Sequence, residues 1–91
     1  VWRMPLSKDY ERQIKSDVAD VANMGKVGRN AGSIVAAQFI QRFVKDETPW
    51  AHLDIAGVTY SKKGGEYSPS GATGWGVMTL NRLIKDIMET D

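Results

Sequence analysis

The stretch Pro49-Trp50-Ala51-His52-Leu53-Asp54-Ile55-Ala56-Gly57 decides what kind of fold this sequence can have. Pro49 stops whatever helix precedes it, because its ring forbids continuation. From Ala51 onward the side chains alternate. Ala51, Leu53 and Ile55 fall on one side of an extended chain, and His52, Asp54 and Ala56 fall on the other. The pattern predicts a strand over 51–57, punctuated by Gly57, and it is the clearest strand in the sequence.

Working upstream, 33–45 reads as a helix. Val35, Ala36, Phe39, Ile40, Phe43 and Val44 follow the helical period, while Gln38, Gln41, Arg42 and Lys45 take the other face. Gly25, Gly28 and Gly32 mark 25–32 as a loop. A shorter helix is expected over 7–15, capped by Ser7, with Asp9 and Glu11 near its positive end. Tyr10 and Ile14 stand four apart and would share its buried face. Between them, 16–24 fits a helical turn through Val18 and Val21 and irregular chain equally well. The opening segment 1–6, broken by Pro5, reads as an edge strand or an extended lead-in.

Downstream, 61–74 is rich in Gly, Ser, Pro and Lys and predicts a long exposed loop. A last amphipathic helix follows over 75–89, with Thr73 as a possible cap. Val77, Leu80, Ile84, Ile87 and Met88 form its apolar stripe, and Asn81, Arg82, Lys85 and Asp86 lie outside. One strand among three helices makes no sheet by itself, so the apolar stripes are expected to need a partner surface. The opening Val1-Trp2-Arg3 adds to the expectation that the chain is a portion of something longer.

Composition narrows the function classes. With 91 residues and 42% hydrophobic residues, the chain suits one compact domain or part of one, not a disordered tail. A formal net charge of +1 supplies no long-range field for nucleic acid or anionic lipid, so neither partner is expected. No apolar run approaches the length of a bilayer span, and polar residues interrupt any signal-peptide core at the start. The absence of cysteine excludes disulfides, thiolate zinc sites and cysteine nucleophiles, and it fits a reducing compartment.

The local constellations carry little chemistry. His52 and Asp54, two apart on one strand face, could converge on a metal ion. As the only histidine with a single carboxylate, however, they fall short of the three protein ligands a catalytic zinc site uses. Packing of the strand's second face accounts for them as well. The run Gly25-Lys26-Val27-Gly28-Arg29-Asn30-Ala31-Gly32 precedes a helix, where amides attract anions. It has neither the phosphate-loop nor the dinucleotide spacing, and a plain connection explains it better. No serine sits in a nucleophile elbow. The acid pairs Asp46-Glu47 and Glu89 with Asp91 follow helix ends and read as solvated.

Several exact strings are more informative than these constellations. Val1-Trp2-Arg3-Met4-Pro5-Leu6, Lys15-Ser16-Asp17-Val18-Ala19-Asp20, Asn23-Met24-Gly25 and Ala31-Gly32-Ser33-Ile34 come first. Trp50-Ala51-His52-Leu53-Asp54-Ile55-Ala56-Gly57 and Gly71-Ala72-Thr73-Gly74-Trp75-Gly76-Val77 follow in order. Together they resemble the C-terminal stretch of the leucyl (cytosol) aminopeptidase family over essentially the whole chain.

The resemblance implies an α/β fold. Residues 1–91 would be the C-terminal part of a catalytic domain built as a three-layer sandwich, a mixed sheet between helices. It implies a cytoplasmic metallopeptidase that removes N-terminal residues, often leucine, from peptide substrates and assembles as a homo-hexamer. It further implies two divalent metal ions, Mn²⁺ or Zn²⁺, that activate water and polarise the scissile carbonyl. The family's Asn-Thr-Asp-Ala-Glu-Gly-Arg ligand string does not occur in these 91 residues. The resemblance therefore assigns no metal ligand and no catalytic residue here, and leaves His52 and Asp54 structural. It assigns the substrate pocket wall instead: Ala56 and Thr59 for the N-terminal side chain, Met24 for the residue after it. The alternative reading is a stand-alone, non-catalytic binding or assembly module on the same scaffold.

Overall fold

The computed structural model describes residues 1–26, 28 and 30–89. Val27 and Arg29 of the glycine loop, and Asp91 of the last acid pair, lie outside the described residues. The chain forms two compact units, Val1–Leu53 and Asp54–Asp91.

In the first unit, residues 1–6 are irregular and exposed, and among the described residues no strand pairs with them. Ser7 begins a 3₁₀ helix, Lys8–Gln13, by accepting the amide of Asp9 on its hydroxyl, as the capping pattern predicts. This helix is shorter and tighter than the turn expected over 7–15. Ile14 closes it, only 1% exposed, while Tyr10 is half-buried. The following residues are irregular, and two backbone bonds fold them back. Ala22 N donates to Ile14 O at 2.7 Å and Lys26 N to Gln13 O at 3.0 Å.

Helix α1, Gly32–Gln41, packs on the 3₁₀ helix. Its buried side chains are Ile34, Val35, Ala37 and Gln38. The expected stripe is therefore rotated. Ala36, Ile40 and Phe43 face outward, and Gln38, assigned to the outer face from sequence, is buried. The reason is local: among the described residues the covering element is the short helix closed by Ile14, and Gln38 enters as its Nε2 donates to Glu11 Oε1 at 2.8 Å. The helix also ends four residues early. Phe43 N donates to Ile40 O and Val44 N to Gln41 O, tightening the chain into three-residue turns well before Pro49. Phe39 and Phe43 meet edge to face, centroids 5.3 Å apart.

The expected strand over 51–57 does not form. A strand exists through its ladder, and among the described residues no segment pairs with this one. Its second half curls instead. Asp54 Oδ1 accepts the Ala56 amide at 3.0 Å, and Val58 N donates to Ile55 O at 3.0 Å. The sheet lies where a loop was expected. Strands β1, Tyr60–Ser61, and β2, Gly71–Ala72, pair antiparallel in the register Tyr60↔Ala72 and Ser61↔Gly71. The connection turns where Gly65 N donates to Ser68 O at 2.8 Å. Gly64 sits there at φ +72°, and an added Cβ would lie 2.8 Å from Ser70 N.

Helix α2, Val77–Met88, starts two residues later than expected. Its N-cap is Gly76 at φ 93°, not Thr73. Arg82 and Asp86 pair one turn apart at 2.8 Å on its polar side. No side chain of α2 is buried, and the stripe from Val77 to Met88 is exposed. The chain thus has the mixed helix and strand content of an α/β protein, with its described core confined to the first unit.

Candidate functional site

The family resemblance assigns Ala56, Thr59 and Met24 to a pocket wall, and the structure places the first two in one turn. Both belong to the turn that replaces the expected strand end. Asp54 fixes its entrance by accepting the Ala56 amide. Thr59 closes it, its Oγ1 donating to Ala56 O at 3.4 Å. Side chains at Ala56 and Thr59 are exposed. A small residue followed three positions later by a hydroxyl gives this turn a low, partly polar surface.

A clasp from the other side of the hairpin holds that turn. Thr73 N donates to Thr59 O at 2.9 Å, and Thr73 Oγ1 donates to Val58 O at 2.6 Å. The same oxygen accepts the amide of Trp75 at 3.2 Å. Sequence reasoning missed this role because it took Thr73 for a helix cap. The signal was present in Gly71-Ala72-Thr73-Gly74, where glycines flank one hydroxyl, but its partner lies 15 residues away.

Met24 belongs to the first unit and is described by itself. It is 69% exposed, on the bend between the two backbone bonds that anchor Ala22 and Lys26 to the end of the 3₁₀ helix. A cleft of about 490 Å³ lies in the same unit, lined by Lys8, Glu11, Arg12, Lys15, Asp20 and Arg42 among others. Its charges are of both signs, and Met24 does not line it.

His52 is half-buried, its ring tilted 34° to that of Trp50 with centroids 6.1 Å apart. The strand face that would have aligned it with Asp54 is not formed. Among the described residues no three His, Asp or Glu side chains are grouped to hold a metal ion. The donor set of the described residues therefore does not fit a dinuclear metal centre. Among the described residues no helix is long and apolar enough to cross a membrane.

Comparison with known proteins identifies the family of the sequence. The sequence profile of the cytosol aminopeptidase family, catalytic domain, matches residues 1–81. The chain belongs to the cytosol aminopeptidase family. A protein of Dinoroseobacter shibae named "Probable cytosol aminopeptidase" is 61% identical over 85 residues, which is 93% of this chain and 17% of that protein. Proteins of the same name from Cereibacter sphaeroides and Rickettsia africae are 54% and 55% identical, over 97% and 94% of this chain and 18% and 17% of theirs. The chain thus spans about a sixth of the length of the curated relatives it matches. No solved structure matches it. The family's named activity is that of a peptidase, and the turn at 56–59 belongs to the matched region.

Proposed function

We propose that these residues are the C-terminal part of the catalytic domain of a metal-dependent aminopeptidase, and that they contribute pocket wall, not chemistry. Identity of 61% across 85 residues with a protein named an aminopeptidase carries the reading. In it, Ala56 and Thr59 border the pocket for the N-terminal side chain of a peptide substrate, and Met24 borders the pocket for the next residue. The small Ala56 leaves room for a leucine-sized group. The remaining parts of the reading are a three-layer sandwich, two Mn²⁺ or Zn²⁺ ions held by ligands outside these residues, a homo-hexamer and a cytoplasmic location. All of them rest on family membership.

The test has two arms. An immunoblot of source cells with an antibody to this chain should give a band several times larger than 10.1 kDa. The protein in that band, purified, should hydrolyse leucine amide with Mn²⁺ or Zn²⁺ and lose the activity to a chelator. The 91-residue chain alone should be inactive under the same conditions. A single band at 10.1 kDa, or robust metal-dependent turnover by the isolated chain, would overturn the reading.

A further inference from the structure

We infer that Thr73 is a positioning residue for substrate selectivity: its hydroxyl clasps the turn that carries Ala56 and Thr59. The inference rests on the reading of that turn as pocket wall and goes beyond it, because Thr73 itself need not touch substrate.

Three bonds meet at Thr73. Its amide takes Thr59 O, its hydroxyl donates to Val58 O at 2.6 Å, and the same oxygen accepts from Trp75 N. The first continues the β1–β2 ladder and would survive any substitution other than proline. The second is a short O–H···O bond, at the strong end for neutral groups. It lands on the peptide unit joining Val58 to Thr59. The turn's own closures are Val58 N to Ile55 O at 3.0 Å and the long 3.4 Å contact from Thr59 Oγ1 to Ala56 O. Without the clasp, the Val58–Thr59 peptide loses the bond at its carbonyl.

The third bond decides the direction in which the hydroxyl donates. The Trp75 amide occupies an acceptor lone pair of Oγ1, so its proton is left for the Val58 carbonyl. A hydroxyl on a rigid, β-branched side chain satisfies both neighbours at once. Valine keeps the shape and removes both bonds. Serine keeps both bonds and removes only a methyl group.

A pocket wall displaced by a few tenths of an ångström loses contacts with a large side chain before a small one. The measurement is kcat/KM of the intact protein, with Mn²⁺, for leucine and alanine p-nitroanilides. Thr73→Val should lower the leucine-to-alanine ratio about fivefold, with the loss appearing in KM for leucine and not in kcat. Thr73→Ser should stay within about twofold of wild type. If Thr73→Val yields no soluble protein, Thr73→Ala removes the same hydroxyl without added bulk and is read on the same ratio. A purely structural role would lower both substrates equally and leave the ratio fixed.

Ala56→Val separates the two layers of inference, since it narrows the wall directly. A ratio moved by Ala56→Val and unmoved by loss of the Thr73 hydroxyl overturns the clasp alone. A ratio unmoved by Ala56→Val overturns the pocket reading, and the clasp with it.

Discussion

Residues Val1–Leu53 and Asp54–Asp91 each contain one α-helix with an apolar side, yet they use it differently. In the first unit α1 lies on the 3₁₀ helix, and Ile14, Ile34, Val35 and Ala37 form a small interior. In the second, α2 has the cleaner separation of apolar and polar faces, and none of its described side chains is buried. Amphipathy thus does not decide which helix is covered. The difference lies in what the chain folds back onto them. Bonds from Ala22 and Lys26 to the end of the 3₁₀ helix return the first unit's backbone toward its own start. The second unit offers only two-residue strands, too short to cover a helix.

The strongest way to break this contrast is to remove the first unit's centre. Ile14→Ala in the 91-residue chain is expected to cost about 3 kcal/mol, the usual loss for a large aliphatic residue cut to alanine in a packed site. The urea midpoint reports it, and a loss below about 1 kcal/mol would mean that the interior around Ile14 is not formed in solution. In the second unit the largest effect should come from backbone, not packing. Gly64→Ala forces a side chain into the left-handed region and against Ser70 N, which should cost about 2 kcal/mol. Gly65→Ala, with nothing within 4 Å of its added carbon, is the matched control and should cost less than about 0.5 kcal/mol. Cross-strand NOEs between Tyr60 and Ala72 follow the hairpin directly, and their persistence at full strength in Gly64→Ala would refute the strain.

What could be read from the sequence follows the range of the interactions involved. Ser7 was legible as a cap because its partner, Asp9 N, is two residues away. Both α-helices were legible from their period, although α1 ends four residues early. The strand over 51–57 was misread because alternation says that a segment can pair, not that a partner is present. The opposite error hid β1 and β2, whose two-residue ladders leave no periodicity to detect. At the candidate site, Ala56 and Thr59 were assigned through family resemblance. Thr73 was assigned the wrong job because its acceptor, Val58 O, is 15 positions off. Gln38 was placed outside because polar residues usually are. Nothing in its neighbours announces that Glu11, 27 residues earlier, will take its amide.

Gln38 offers a finer test of the first unit's interior, at 4% exposure. Its Nε2 is satisfied by Glu11, but its Oε1 is buried without a hydrogen bond. Replacing it with methionine loses one bond to a charged carboxylate, worth about 1.5–3 kcal/mol, and removes a stranded carbonyl that costs about 1–3 kcal/mol. Glu11 keeps Arg42 at 3.7 Å, an exposed pair of small value. The two nearly offset, and Gln38→Met should change stability by less than about 1 kcal/mol. A clearly larger decrease in the urea midpoint analysis would mean that Oε1 is paired in solution and that the site is polar by construction.

The smallest expected effect probes the contrast from its other side. Leu80 and Ile84 lie one turn apart on α2, 47% and 57% exposed. Glutamine at both positions preserves helix propensity and adds no charge. If the face is open in the 91-residue chain, the double variant should alter stability by less than about 0.5 kcal/mol. It should also lower the fluorescence of a dye that binds apolar surface, since contiguous exposed patches of this kind are uncommon on monomers. A loss several times larger, or one that depends on protein concentration, would show the stripe covered in solution. The two units would then differ in where their cover comes from, not in whether they have any.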